Sequence, residues 1–321
     1  MRALLIVNPH ATSTTRLRRD VIARALASAV ELEIVETRYR GHGTALAAAA
    51  ASEGVGLVLT LGGDGTVNEA VNGLLGRPAG RTAAAPPALA PLPGGSANVF
   101  VRALGLPADP VDATGQVLAA LTEGRSRSIG LGLAGDRYFT FNSGLGIDAE
   151  VVRAVEGRRA HGRSVTPALY LRTATRQFYR LTDRRHPAVT LETDGPGAGG
   201  PQASAQEPAG PLYWCTVSNT SPWTYLGRRA VTTNPQASFD SGLDVFGLRS
   251  LSTAATVAAL RQMLAERADP PRGRGIIARH DLDGLTLRAS RPVAFQIDGE
   301  YVGEREEVRF RAVPDALQVV M

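Results

Sequence analysis

Lysine is missing altogether: all 35 basic residues of this 321-residue chain are arginine. That excludes the P-loop nucleotidases, whose G-x-x-x-x-G-K-[ST] loop needs a lysine, and any side-chain cation that grips phosphate has to be arginine. Cysteine is nearly absent as well. The single Cys215 rules out a disulfide framework and a cysteine-rich zinc site, and it suits a reducing compartment. Aromatic residues make up only 5% and no nucleic-acid motif occurs, so the net charge of +5 does not make nucleic acid a partner. No apolar run approaches the roughly 20 residues of a membrane-spanning helix. The opening MRALLIVNPH carries an apolar stretch too short for a signal peptide. The expectation is a soluble or peripheral, cytoplasmic protein with no transmembrane segment. Its length and its apolar fraction of 44% suffice for two domains with a sizeable core.

What the chain does have is glycine in particular places. In LTLGGDGTVNEAVNGLLG, residues 59 to 76, Leu57 to Leu61 predict a buried strand and a helix begins near Thr66. Between them, Gly62, Gly63 and Gly65 permit close backbone approach by a ligand, and the helix aims N–H groups at the turn, which makes an anion site. Asp64 stands inside this turn with no evident structural need. A carboxylate beside a phosphate cradle repels the ligand unless a divalent cation intervenes, so the pairing points to a metal–nucleotide complex.

Strands and helices alternate around this motif, the pattern of a mostly parallel sheet covered by helices. Strands are expected at 3–7, 31–36, 57–61 and 88–92, and helices at 15–29, from Thr44, after the glycine turn, and at 111–123. PGGSANVFVRALG repeats the glycine-turn logic, with Ser96 a candidate cap. Two such loops at the carboxyl ends of strands lie where open sheets bind ligands. From about Ser128 the texture changes to short β-rich runs interrupted by helical passages at 168–181 and 251–266. Residues 195–211 are rich in glycine and proline and predict a hairpin loop. The fold class is therefore α/β plus β, with domains at 1–127 and 128–309.

In order and spacing, NP after the first strand, GGDGTVNEAVNGL, LPGGSANVFVRALGLP, FNSGLGIDAEVV, DSGLDV and IDGE resemble the bacterial diacylglycerol kinases and sphingosine kinase-like lipid kinases. GGDGT alone is shared with NAD kinases and 6-phosphofructokinases; VNEAVNGL and the distant IDGE favour the lipid kinases. The resemblance implies an amino-terminal α/β domain like that of NAD kinase, an antiparallel sandwich-type second domain, ATP in the cleft between them, and a final strand, about 310–321, that returns to the first domain. It implies that Asn8, Pro9, His10, Ala11 and Thr12 lie beside the phosphates and Thr37 near the nucleoside. Gly62, Gly63, Asp64, Gly65, Thr66, Asn68 and Glu69 surround the triphosphate, and Gly95 and Ser96 complete the cradle. Singly, Asn8 and Ser96 serve equally well as helix caps, and Thr37 as a strand end. Asp64 organises Mg²⁺ and phosphates, and Asp298 or Glu300 supplies the general base, although Asp-Gly is also a strong hairpin signal. A structural metal would sit on Ser238, Asp240 and Leu243.

The implied reaction moves the γ-phosphate of ATP to a lipid hydroxyl, with the protein peripheral on a membrane and a homodimer as a candidate assembly. On residues 168–181 one helical face carries Leu171, Ala174, Phe178 and Leu181 and the other Arg172, Arg176 and Arg180; a solvated surface helix and a lipid-docking helix both fit. The chain departs from the family at Val99, where an aspartate usually follows the asparagine, at Gly130, and at Ser241. WTYLGRR, residues 223–229, either narrows a lipid slot or packs. Two other readings stand beside the lipid kinase: an NAD kinase, disfavoured by VNEAVNGL and IDGE, and a non-catalytic nucleotide or lipid binder, disfavoured by intact Asp64, Asp298 and Glu300.

Overall fold

The computed structural model describes residues 1–12, 14–77, 86–159, 172–173, 176, 186–193, 209–265 and 268–321. Most of the helical passage expected over 168–181, and most of the loop expected over 195–211, lie outside the described residues. The chain divides into two units: Met1–Leu131 with Asp136–Tyr138 and Pro314–Met321, and Gly132–Gly135 with Phe139–Val313.

The first unit contains β1 (Arg2–Val7), α1 (Arg16–Ala27), β2 (Glu31–Glu36), α2 (His42–Ser52), β3 (Leu57–Gly62), α3 (Asp64–Leu75), β4 (Ala88–Pro93), α4 (Val99–Ala103) and α5 (Pro110–Glu123). Its strands run parallel in the order β4-β3-β1-β2. β3 is buried along its whole length, which is why LVLTLG reads as an unbroken apolar run rather than an alternating one. Val319 near the carboxyl terminus pairs in parallel with Leu89, so the last residues of the chain extend this sheet past β4.

Local chemistry sets the helix boundaries. Thr15 Oγ1 accepts from the Arg18 N–H to start α1. Asp109 accepts from Val111 N–H at 2.8 Å, with Pro110 at the first helical position of α5. The alanine-rich α2 packs on α3, and the reason for its small side chains is Gly73. A Cβ there would stand 2.3 Å from the Thr44 carbonyl oxygen and 2.8 Å from the Ala47 Cβ, so the two helices touch backbone to backbone.

After α5 come β5 (Arg127–Ala134) and β6 (Arg137–Phe139), which pair with each other. The second unit is antiparallel. β7 (Asn142–Gly146) pairs with β10 (Trp214–Ser218), β10 with β13 (Leu243–Leu248), and β13 with β14 (Ile276–Leu282). The long β15 (Gly284–Ile297) pairs with β8 (Val189–Thr193) in its first half and with β7 in its second. β9 (Ala209–Leu212) lies beside β8, and β11 (Thr224–Leu226) with β12 (Arg229–Val231) makes a separate two-stranded sheet. The inward residues Leu285, Leu287, Phe295 and Ile297 of β15 share one core with Leu145, Val217, Val245 and the buried Cys215. Burial pushes the Cys215 thiol up to about 12, so it stays a neutral core residue. On the opposite face of β10 and β13, α7 (Thr253–Met263) packs Ala259 and Met263 against Trp214, Phe246 and Leu248. Trp223 lies against Trp214, ring centroids 5.4 Å apart, so the bulky end of WTYLGRR packs on this second core.

Candidate functional site

The parallel register brings the carboxyl ends of all four strands of the first unit to one edge. Val7 lies opposite both Glu36 and Leu61, and Gly62 opposite Pro93. Thr37, Asn8, the turn at Gly62 and Gly63, and the turn at Gly94 and Gly95 consequently follow one another along that edge. Thr37 is tied in by its N–H to the Val7 carbonyl at 2.8 Å, and Asn8 by its N–H to the Leu61 carbonyl at 2.9 Å.

At the centre the two glycine turns cross. The Gly94 N–H donates to the Gly62 carbonyl at 2.7 Å. A Cβ on Gly95 would stand 2.7 Å from the Gly63 Cα, and one on Gly94 would stand 2.9 Å from the Gly62 Cα. Any side chain at Gly94 or Gly95 would push the loops apart. Gly62 makes room for a second neighbour: Thr66 Oγ1 sits 2.4 Å from where its Cβ would be. That hydroxyl accepts from Asn8 Nδ2 at 3.3 Å, which draws the NP turn onto the first turn of α3.

The helix itself starts earlier than expected, at Asp64, with Gly63 in extended conformation as its N-cap. Asp64 also has a structural partner that the sequence does not disclose: its Oδ1 accepts from the Phe100 N–H at 3.1 Å. One carboxylate thus ties the first turn of α3 to the first turn of α4. Ser96 is not the cap of α4. Asn98 takes that place in left-handed conformation, φ 48°, and closes the preceding turn by accepting from the Gly95 N–H and donating to the Gly95 carbonyl. Only a short polar side chain that tolerates positive φ does this readily, and it fixes Gly95 and Ser96 against the crossing. Val99, which follows Asn98, is buried in the core of the unit.

Two of the residues expected around the triphosphate hold protein rather than pointing to open space. Glu69 accepts from the Gly41 N–H at 2.6 Å with one oxygen and from the Gly43 N–H at 2.9 Å with the other. It caps α2 and fixes the loop that follows Thr37. Asn68 is fully buried; its Nδ2 donates to the Tyr138 carbonyl and its Oδ1 accepts from Arg137. Asn72, one helical turn on, donates to the same carbonyl and accepts from the Tyr138 N–H at 2.9 Å. VNEAVN is thus a clamp on residues 137–138, and its two asparagines at i and i+4 were the available signal.

In the second unit, Asp298 and Gly299 form the two-residue turn between β15 and β16 (Glu300–Val319), both with positive φ. The Asp298 carboxylate is 3% exposed and accepts four hydrogen bonds: from the Thr140 N–H at 2.7 Å, the Thr140 hydroxyl at 2.9 Å, the Phe141 N–H at 3.0 Å and the Asn142 N–H at 3.2 Å. Glu300 opens β16 and is half-buried. Behind the turn, Gln296 accepts from the Gly299 N–H and donates to Asn142 and to Asp148. Burial pushes the Asp148 carboxyl up to about 7, against hydrogen bonds from Gln296 and Trp223 that favour its charge.

The residues expected at a structural metal, Ser238, Asp240 and Leu243, lie in and beside the loop that leads into β13. The Ser241 hydroxyl donates to the Ser238 carbonyl, the Leu243 side chain is in the core, and Asp240 is the loop's one carboxylate. Among the described residues no group of three or more His, Cys, Asp or Glu is placed to hold a metal. The buried Asp244 is instead paired with His280 at 2.8 Å, burial raising the Asp244 carboxyl above its ordinary value.

Comparison with known proteins agrees with this geometry. Residues 2–133 match the family model "Diacylglycerol kinase catalytic domain". A protein named "Probable lipid kinase YegS-like" from Chromohalobacter salexigens is 35% identical over 150 residues, which is 47% of this chain and 45% of the relative. A Staphylococcus carnosus protein named "Diacylglycerol kinase" is 31% identical over 140 residues, 43% of this chain and 42% of the relative. The chain thus spans less than half the length of these curated relatives. Over 99% of its length it has the fold of a putative diacylglycerol kinase from Bacillus anthracis, TM-score 0.73 at 21% identity and 96% of that chain. A more distant likeness is an NAD kinase from Archaeoglobus fulgidus in complex with ATP, TM-score 0.52 at 12% identity, covering 100% of this chain and 94% of that one. Residues 2–133 are thus similar to the diacylglycerol kinase catalytic domain, and the chain as a whole shares the fold of the solved diacylglycerol kinase structures.

Proposed function

We propose that the protein transfers the γ-phosphate of ATP to a lipid hydroxyl, working as a peripheral enzyme at a membrane surface. The observation that carries this reading is the crossing of two side-chain-free turns, Gly62–Gly63 over Gly94–Gly95, at the carboxyl edge of the sheet beside the first turn of α3. Turns without side chains admit a polyphosphate closely, and the helix terminus favours its negative charge. Asp64 would hold Mg²⁺, and that ion would supply charge neutralisation at the phosphates.

The remaining work falls to this chain's own groups. Asn8, Thr66 and Ser96 supply polar contacts around the phosphates, Glu69 fixes the loop that follows Thr37, and Asn98 fixes the Gly95–Ser96 turn. The acceptor oxygen bonds to the γ-phosphorus, the bond from that phosphorus to the bridging oxygen breaks, and ADP leaves with the electron pair. The hydroxyl proton goes to Glu300. Asp298 is the poorer base because its lone pairs are engaged by four donors, and its role is to hold the turn that presents Glu300.

The test is incubation of the purified protein with ATP and Mg²⁺ alongside vesicles carrying diacylglycerol, ceramide or a sphingoid base, with NAD as a separate acceptor and products identified by mass spectrometry. A phosphorylated lipid is expected. ATP binding without lipid-dependent ADP release across such a panel would overturn the proposal, and phosphorylated NAD would replace it.

A further inference from the structure

The 298–300 turn is held from behind by a chain of side-chain amides that ends on a buried acid. Asp148 is the second residue of α6 (Ile147–Arg159), is 6% exposed, and has no place among the groups assigned to ATP or to proton transfer. Its Oδ2 accepts from Gln296 Nε2 at 2.9 Å. The other proton of that amide goes to Asn142 Oδ1 at 2.8 Å, and Gln296 Oε1 accepts from the Gly299 N–H at 2.9 Å. Asn142 has no freedom to turn, because its own Nδ2 donates to the Trp223 carbonyl at 2.8 Å.

An amide side chain has two orientations that differ by exchange of N and O. Here the choice is dictated from one end. Asp148 and Asn142 both present acceptors, so Gln296 must turn its NH₂ to them and its oxygen to Gly299. Flipped, the NH₂ would face the Gly299 N–H donor to donor, and two buried acceptors would lose their partner. We infer that Asp148 is a positioning residue: acting through the Gln296 amide, its carboxylate fixes the Gly299 backbone and with it the direction in which Glu300 is presented. The functional half of this inference rests on the kinase reading; the structural half does not.

Protonation weakens the hold. A carboxylate offers acceptors to both Gln296 and the Trp223 indole N–H, whereas a carboxylic acid turns an O–H toward one of these donors. The surroundings give the charge little help. From β15 the partner is the neutral Gln296, with Asp298 directed at residues 140–142; β7 carries no titratable residue, and β10 only the neutral Cys215. On α6 itself Glu150 is the other acid of the first turn, and Arg153 is paired with Glu304 at 3.1 Å. Desolvation is the largest influence on Asp148 and brings its titration to about 7. The turn is therefore held firmly above neutral pH and loosely below it.

The test uses full-length protein, following hydrogen exchange of the peptide that contains the Gly299 amide, as protection relative to intrinsic rates, at about pH 6 and about pH 8.5. In wild type the protection rises with pH. In Asp148→Asn it is low and independent of pH, kcat at the higher pH falls about tenfold with KM for ATP unchanged, and at the lower pH the two proteins are alike. Wild-type protection and pH dependence in Asp148→Asn would overturn the inference. So would a wild-type kcat profile in that variant once exchange has shown the turn loosened. Should Asp148→Asn not fold, Trp223→Phe carries the test. It removes one donor to the carboxylate, so the midpoint of wild-type protection moves upward, and an unmoved midpoint refutes the coupling. A wild type that transfers no phosphate to lipid yet shows pH-dependent protection would sink the kinase reading and leave the Asp148–Gln296–Gly299 coupling standing.

Discussion

Replacing Asp148 by asparagine removes one buried titration while leaving the volume of the side chain nearly unchanged, which makes its effect on stability calculable. The carboxyl moves from an ordinary 3.8 to about 7 on folding. A raised folded value means that the folded state binds the proton more tightly than the unfolded chain. This contribution is therefore fully present below the unfolded value and is lost as pH rises through the folded one. At about 1.4 kcal/mol per pH unit the whole effect is about 4 kcal/mol, of which roughly 2.5 kcal/mol falls between about pH 5 and about pH 8. The assay is urea unfolding followed by tryptophan emission. Both tryptophans, Trp214 and Trp223, belong to the second unit, so the signal reports the unit that contains Asp148. The quantity to compare is the difference in unfolding free energy between wild type and Asp148→Asn, in which the titrations common to both proteins cancel. The variant gains on wild type as pH rises. A difference that stays flat within about 0.5 kcal/mol from pH 5 to pH 8 would show that the carboxyl is hydrated or otherwise compensated, and would remove the argument from burial.

Other substitutions test the site piece by piece. Asp298→Ala leaves three buried backbone N–H groups at residues 140–142 without their acceptor, and should cost about 3–5 kcal/mol in chemical unfolding of the second unit. Glu300→Gln should keep the fold and ATP affinity but lower kcat by about 10²–10⁴, read by single-turnover kinetics; a loss under threefold would reassign the base. Gly95→Ala puts a methyl 2.7 Å from the Gly63 Cα, and calorimetry should show weakened ATP binding together with a stability loss of about 1–3 kcal/mol. Asn72→Ala removes the acceptor of the Tyr138 N–H and a donor to the Tyr138 carbonyl, and faster exchange of the Tyr138 amide is the expected sign.

The parallel half of the fold was legible because its signals are local. Apolar runs of strand length alternating with helical periods predict the sheet, and glycine pairs at strand ends predict the turns. Even there the caps went astray. Ser96 has the right chemistry for an N-cap, but Asn98 holds the position because the chain turns through a left-handed residue. Glu69 lies inside a motif that resembles a nucleotide loop, yet its carboxylate goes to Gly41 and Gly43, 28 and 26 residues earlier. Asp64, which had no evident structural use, has one in the Phe100 N–H. In each case the partner is a backbone group, which carries no sequence signature and is identified only once the loops are placed.

The sequence by itself determined what the turns are made of. Without lysine there is no P-loop; with glycine at 62, 63, 94 and 95 the backbone can carry a phosphate cradle; with Asp298-Gly299 between two strands a tight hairpin follows from positive φ alone. Tertiary structure decided which carboxylate does what. Asp298 is spoken for by donors 156 to 158 residues away, Glu300 opens the next strand, and Asp148, an ordinary acid at the start of a helix in the sequence, is buried behind the turn and linked to it through Gln296. Residue type fixes what a group can donate or accept, but burial and long-range hydrogen bonding fix whether that capacity remains available for chemistry.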